Sequence, residues 1–158
     1  MADRFEVAVT AIVVKDERFL ILRRATSKKR FPGMWTVPGG RLEILDFSES
    51  PRDSKDYWYN VLEKALRREV KEEAGIEIKN IEYVTSLATV HHDGVPSLVI
   101  SCLAEFASGE LALQVEEIDQ SAWVNLEEAR GYDLIDGIYD ELEMAVEQMQ
   151  GEKRKWRR

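Results

Sequence analysis

The sequence predicts one α+β domain in which a mixed β-sheet is sandwiched between helices. Three observations predict it. Short β-branched and apolar stretches recur along the chain with turn formers between them. Two segments, 57–74 and 136–149, carry a helical period long enough for a packed helix. At 158 residues, 44% hydrophobic and 33% charged, the chain has the length and balance of a single soluble core. Strands interleaved with two main helices fold most simply as a helix-covered sheet.

Each element follows from its residues. Residues 7–14 are β-branched and apolar, as in a buried strand. Lys15-Asp16-Glu17-Arg18 turns the chain, and 19–23 reads as the hairpin partner. Residues 25–30 form a basic loop. Residues 31–40 mix aromatics with Pro and Gly around a short strand at 35–37. The polar, Pro-containing stretch 43–55 reads as a surface loop. Asp53 or Asp56 is placed to cap the helix 57–74, and Gly75 to end it.

Residues 76–89 read as one or two strands, His91-His92-Asp93-Gly94 as a turn and 98–106 as a strand. Ser108-Gly109-Glu110 turns the chain before a short strand at 122–124. Asn125 is a cap for a short helix at 126–130. The final helix aligns Ile138, Leu142, Ala145 and Met149 on one face. The domain is expected to span 1–150, followed by a basic tail at 151–158.

The bulk properties narrow the function. A net charge of −8 argues against a general nucleic-acid binder. The single cysteine, Cys102, lies in an apolar run, so it reads as a buried thiol in a reducing cytoplasm. No signal-peptide pattern opens the chain, and no apolar run approaches the roughly 20 residues of a membrane span.

The segment Arg68-Glu69-Val70-Lys71-Glu72-Glu73-Ala74-Gly75-Ile76 is anomalous. Residues three and four apart are neighbours on a helix, so its three acids repel one another. At about 100° per residue, Trp58, Val61, Leu62 and Ala65 form an apolar stripe, and Glu69, Glu72 and Glu73 continue it. Lys64, Arg67 and Lys71 lie opposite. Acids near a helix C-terminus also oppose its dipole. Such oxygen-rich clusters suit a divalent cation shared with phosphates.

The same residues carry a family resemblance. Gly40 followed by Arg68-Glu69-Val70-Lys71-Glu72-Glu73-Ala74-Gly75-Ile76 resembles the Nudix box. Val37-Pro38-Gly39-Gly40-Arg41-Leu42-Glu43 resembles the strand and loop that precede it, and Trp123-Val124-Asn125-Leu126-Glu127-Glu128 a stretch that follows it. The resemblance covers most of the chain, 7–149, and implies a Nudix-type α/β/α sandwich. One departure stands out: 27 residues separate Gly40 from Arg68 where the family has thirteen, so the box carries a 14-residue insertion. Counting back from Arg68, the first box acid falls on Asn60; counting forward from Gly40, it falls on Asp46. Glu43, Glu49, Asp53, Asp56 and Glu63 are further candidates.

The resemblance implies a Mg²⁺- or Mn²⁺-dependent pyrophosphohydrolase that splits a phosphoanhydride bond of a nucleoside diphosphate-linked compound. Glu72 and Glu73 match its metal-binding pair, and Glu69 a ligand or general base. The Gly39 carbonyl matches a backbone ligand, and Arg68 the arginine that orients the glutamates. Glu117, with Glu116 second, is the expected acid before the last strand. By elimination of subfamily markers, a nucleoside triphosphate, oxidised ones included, is the expected substrate. ADP-ribose or a nucleotide sugar is the alternative.

Arg23, Arg24, Lys28 and Arg41 are candidates to hold substrate phosphates, with Lys29 and Arg30 in the same basic cluster. Trp35, Phe31 and Tyr83 are candidates to stack on a base, although such aromatics also build cores. His91 and His92 are candidates for phosphate contact. The partner is thus a small nucleotide, with no nucleic acid or membrane expected, and family precedent is compatible with a homodimer. Two other classes remain: a non-catalytic nucleotide sensor on the same fold, and an interaction protein with an acidic helix. The 43–55 loop reads as a lid over the site, since long irregular loops are commonly functional.

Overall fold

β1 (Glu6–Lys15) and β2 (Arg18–Arg24) form the expected hairpin. Its two turn residues, Asp16 and Glu17, both adopt positive φ (49° and 61°), the twist that joins antiparallel strands tightly. The computed structural model describes residues 3–151. The basic tail expected at 151–158 lies, beyond Gly151, outside the described residues.

Further along come β3 (Trp35–Thr36), β4 (Gly39–Arg41), α1 (Val61–Ala74), β5 (Glu77–Val90), β6 (Pro96–Ser108), β7 (Ile118–Val124), α2 (Leu126–Ala129) and α3 (Ile138–Met149). The seven strands pair into one mixed sheet along the path β3-β2-β1-β6-β5, with β4 also on β1 and β7 also on β2. β1 and β6 run parallel from Glu6↔Ser97 to Val14↔Glu105, and the other pairs are antiparallel. A central strand in a parallel pair is covered on both faces, which explains the nearly unbroken apolar run of β1.

The two faces carry separate cores. Val9, Ala11, Val13, Leu20 and Leu22 pack with Ala65, Leu66, Val70 and Ala74 of α1. Ile12, Phe19, Ile21 and Leu103 pack with Ile138, Leu142 and Ala145 of α3. Strand alternation places odd-numbered β1 residues toward α1 and even-numbered ones toward α3. Cys102 is buried, and burial pushes its thiol up to about 11.

The structure settles one open reading, adds a turn and shifts two starts, that of α1 and that of β7, which begins at Ile118 rather than 122. Segment 76–89 forms one 14-residue strand, β5, with register shifts between Lys79 and Thr85. The polar loop contains a 3-10 turn, Ile44–Asp46, with reciprocal bonds between Glu43 and Asp46. α1 begins at Val61, because Asn60 takes a left-handed conformation (φ 57°) that the helix cannot continue through. Asp53 does not cap α1; it accepts from the Tyr59 N–H at 2.8 Å and closes the loop instead. Trp58 is therefore not on the α1 stripe. Its ring packs at a tilt against Phe47 at 5.3 Å, its indole N–H donates to the Ser50 carbonyl, and Arg52 lies over it.

Candidate active site

α1 delivers its acids to the edge formed by Gly39 and Gly40. The helix buries Ala65, Leu66, Val70 and Ala74 against the sheet. Glu69 and Glu73 fall on that inward face and are half-buried. Glu72 falls on its shoulder with 49% of its side chain exposed, so the stripe carries two inward acids rather than three. Gly75 ends the helix at φ 75°, with its N–H on the Lys71 carbonyl at 2.9 Å.

β4 pairs with β1 through Thr10↔Gly39, Val9↔Gly40 and Ala8↔Arg41. The Gly39 N–H donates to Glu73 Oε2 at 3.3 Å. At Gly40, a side chain would collide with the Glu69 carboxylate. Gly40 therefore lets backbone approach the Glu69 carboxylate with nothing between them, whereas a side chain at Gly39 would collide with Val9 and Thr10 of β1.

Arg68 organises the acids from outside. Its Nη1 donates to Glu69 Oε1 at 2.9 Å and to Glu72 Oε2 at 3.1 Å. Its Nη2 donates to the Arg41 carbonyl and to Asp46 Oδ2, each at 3.1 Å, and its Nε donates to Asp46 Oδ1. The Asp46 side chain is 1% exposed. Burial opposes ionisation of Asp46, but Arg68 and the Glu43 N–H hold its carboxyl below the usual range. Of the sequence's candidates for the first box acid, the structure brings Asp46 to Arg68. Asn60 stands at the start of α1 with no side-chain capping bond. The forward count from Gly40 was the signal that located Asp46.

The electrostatics are strained. Burial raises the pKa of Glu69; Arg68 opposes this, and the charges of Glu72 and Glu43 add to it. Burial and then the Glu69 charge push Glu73 up to about 8, against the Gly39 N–H and Arg24. Glu117 adds to the repulsion.

Glu117 reaches this end of the site from the loop before β7. It forms an ion pair with Lys28, and its carbonyl accepts from the Ala25 N–H at 2.9 Å. Arg24 lies within electrostatic reach of both Glu73 and Glu117. Glu116 is exposed nearby in sequence.

Arg41 flanks the other end, 65% exposed and 3.2 Å from Glu6. Glu6 also accepts from Arg30 Nη1 at 2.8 Å and from Ser97 at 3.3 Å, while Arg30 reaches Asp93 at 2.7 Å. His91 Nε2 lies 2.9 Å from Ser97 Oγ. This network went unread in the sequence, because only the parallel β1–β6 register brings its members together.

Two expected substrate residues stand away from the carboxylates. Arg23 points to the opposite face from Arg24, where Asp119 binds both its Nε and Nη2 at 2.7 Å. Trp35 packs edge-on against Tyr132 at 4.8 Å in the α3-side core. Phe31 is partly exposed beside His91, and Tyr83 is exposed on edge strand β5.

Among the described residues, no three His, Cys, Asp or Glu side chains stand close enough together to hold a metal ion as placed. Arg68 holds Glu69 and Glu72, and Lys28 holds Glu117. The donor chemistry nevertheless fits a hard divalent cation: every donor is oxygen, and the buried carboxylates repel one another.

The NUDIX domain pattern matches residues 4–142. The chain belongs to the Nudix family. The NAD-capped RNA hydrolase NudC of Salmonella heidelberg (strain SL476) is 37% identical over 112 residues, 71% of this Nudix chain and 36% of that protein. The chain thus spans about a third of that relative's length. A MutT Nudix hydrolase of Burkholderia pseudomallei superposes with a TM-score of 0.69 at 22% identity, covering 90% of this chain and 98% of that one. The Nudix domain of Shewanella oneidensis NrtR, solved with ADP ribose, gives 0.71 at 19% identity, with 94% and 90% covered. These two establish the shared fold.

Proposed function

We propose that this Nudix hydrolase is a Mg²⁺- or Mn²⁺-dependent pyrophosphohydrolase acting on a nucleoside diphosphate carrying a further group. The observation that carries the reading is the mutual repulsion of Glu69 and Glu73 at the Gly39–Gly40 edge. Glu73 at about 8 is a carboxyl held for want of positive charge.

Glu72, Glu73, Glu117 and the Gly39 carbonyl are the groups that would hold the ion, with Glu69 beside them. A bound divalent ion supplies charge neutralisation for the phosphoryl oxygens and acidifies water. Such loading requires Glu69 and Glu72 to turn from Arg68 Nη1, which then stays anchored on Asp46. Glu69, its pKa raised by burial, accepts the proton of the attacking water. The new P–O bond forms as the anhydride P–O bond breaks, and the leaving phosphate carries away the electron pair.

Cations stand on both flanks of the carboxylates, with Arg24 and Lys28 on one side and Arg41 on the other. This favours a diphosphate substituted at both ends. It agrees with the NAD-capped RNA and ADP ribose named for the similar proteins. The second reading is a nucleoside triphosphate, whose larger charge would also engage all three cations. A cytoplasmic domain spanning 1–150 is part of the proposal; among the described residues, no helix is long and apolar enough to cross a membrane.

The test is a product-release screen over nucleoside triphosphates, ADP-ribose, dinucleotides and nucleotide sugars, with Mg²⁺ and with excess chelator. Metal-dependent release of a nucleoside monophosphate is expected, fastest from a substrate substituted at both ends. Release of pyrophosphate only from triphosphates selects the second reading. No turnover of any substrate contradicts both.

A further inference from the structure

Beyond Arg41 the surface opens into a cavity of about 390 Å³ lined by Phe5, Glu6, Val7, Arg41, Leu42 and Glu43. The pairing of β1 with β4 builds it. Ala8 faces Arg41 in the ladder, and the Leu42 N–H donates to the Val7 carbonyl at 2.8 Å, so the start of β1 lies beside the end of β4. The cavity adjoins the carboxylates of α1. The Arg41 carbonyl accepts from Arg68 Nη2, and the charge of Glu43 is felt at Glu69. Its walls are open to solvent: Phe5 is 51% exposed, and Arg41 and Glu43 are exposed as well.

The hydrogen bonds of Glu6 say what could enter. Its Oε2 accepts from Arg30 Nη1 and from Ser97 Oγ, whereas its Oε1 accepts from Arg41 Nη1 at 3.2 Å. When Arg41 turns to a substrate phosphate, Oε1 gives up that donor. The Glu6 side chain is only 23% exposed, so a replacement donor is worth more there than on an open surface. A further phosphate does not supply one: its oxygens accept, and its charge meets those of Glu6 and Glu43. A hydroxyl does supply one, since it donates to an ionised carboxyl. The C–H groups of a sugar ring also find apolar surface on Phe5, Val7 and Leu42.

We propose that this cavity takes the group on the far side of the diphosphate, and that it selects an uncharged, hydroxyl-bearing group such as a ribose over a phosphate tail. Arg41 holds the nearer phosphate, Glu6 and Glu43 accept from the hydroxyls, and Phe5 forms the floor. Sites built to hydrogen-bond a hydroxyl discriminate against an analogue that lacks it, because their own polar groups are then left unpaired. The inference rests on the pyrophosphohydrolase reading above and adds to it which class of second group is taken.

The test is calorimetric titration of the protein in saturating Mg²⁺ with ribose 5-phosphate and with pentyl phosphate, which keeps the phosphate and the carbon count but has no hydroxyls. The wild-type protein is expected to bind ribose 5-phosphate about tenfold tighter or more. Glu6→Ala and Glu43→Ala should bring the two affinities together, each checked for folding by thermal melting. Should Glu6→Ala fail to fold, the exposed Glu43→Ala decides. Equal affinities in the wild-type protein, no binding of either phosphate, or a preference that survives in the folded variants overturns the inference. A protein that prefers ribose 5-phosphate but releases no product from any substrate contradicts the hydrolase reading and leaves this one standing. Metal-dependent turnover without that preference does the reverse.

Discussion

Arg68 holds the carboxylates in place and is itself held by Asp46. A planar guanidinium with five donors can serve Asp46, Glu69, Glu72 and the Arg41 carbonyl at once; an ammonium cannot. Removing a group that positions metal- or proton-handling side chains commonly costs about ten- to a hundredfold in activity. Asp46→Ala is therefore expected to lower kcat by that factor with little change in KM, and Asp46→Glu to recover part of it. Steady-state kinetics on the best substrate of the screen checks this; an unchanged kcat in Asp46→Ala removes Asp46 from the site. The glutamates were legible as an acid cluster on a helix. Asp46 was legible only as one of two counts across an insertion, because sequence spacing does not say where a loop leaves the fold and returns to it. Arg23 and Arg24 looked equivalent in sequence, yet strand alternation sends them to opposite faces.

α1 connects the sheet to the carboxylates. Leu66 is fully buried at the centre of its inward face, so Leu66→Ala should destabilise the protein by about 2–5 kcal/mol. Chemical denaturation measures it, and a loss below about 1 kcal/mol would mean that α1 is not packed as described. Helix and strand identities were legible from periodicity and turn residues, and most boundaries hold within two residues. The start of α1 was not, because the apolar period runs through Trp58 into the insertion. What stops the helix is the left-handed Asn60 and the packing of Trp58 on Phe47, which are properties of the loop's own fold. The loop between Glu43 and Asn60 thus has internal structure where the sequence suggested a polar loop and a lid.

Across the whole molecule, the mixed sheet brings four separated segments to one edge: 24–28 with Glu117 at one end, Gly39 and Gly40 in the middle running to Arg41 at the other end, and α1 behind. Non-local pairing of this kind leaves no local pattern, so Glu117 could be named from family precedent but its contact with Lys28 could not. The assembled charge has a consequence for stability. Glu73 ionises near 8 in the folded protein and near its ordinary 4.5 when unfolded. Between those values the folded state binds more protons, so stability falls as pH rises from about 4.5 through about 8. Glu69 and Glu141 shift in the same direction, whereas Asp46 and Glu6 shift the opposite way and lose their contribution only in acid. In chelator, Tm should therefore fall between pH 6 and 8.5. Mg²⁺ should restore it most at the alkaline end, and Glu73→Gln should flatten the slope; a Tm that rises with pH in chelator contradicts this assignment. The most direct test of the catalytic role of these carboxylates is turnover by Glu72→Gln in saturating Mg²⁺, compared with the wild-type protein in Mg²⁺ and in excess chelator. Loss of at least about a hundredfold in the variant with its melting temperature preserved, and loss of activity in chelator, is the predicted result; full activity in either would contradict it.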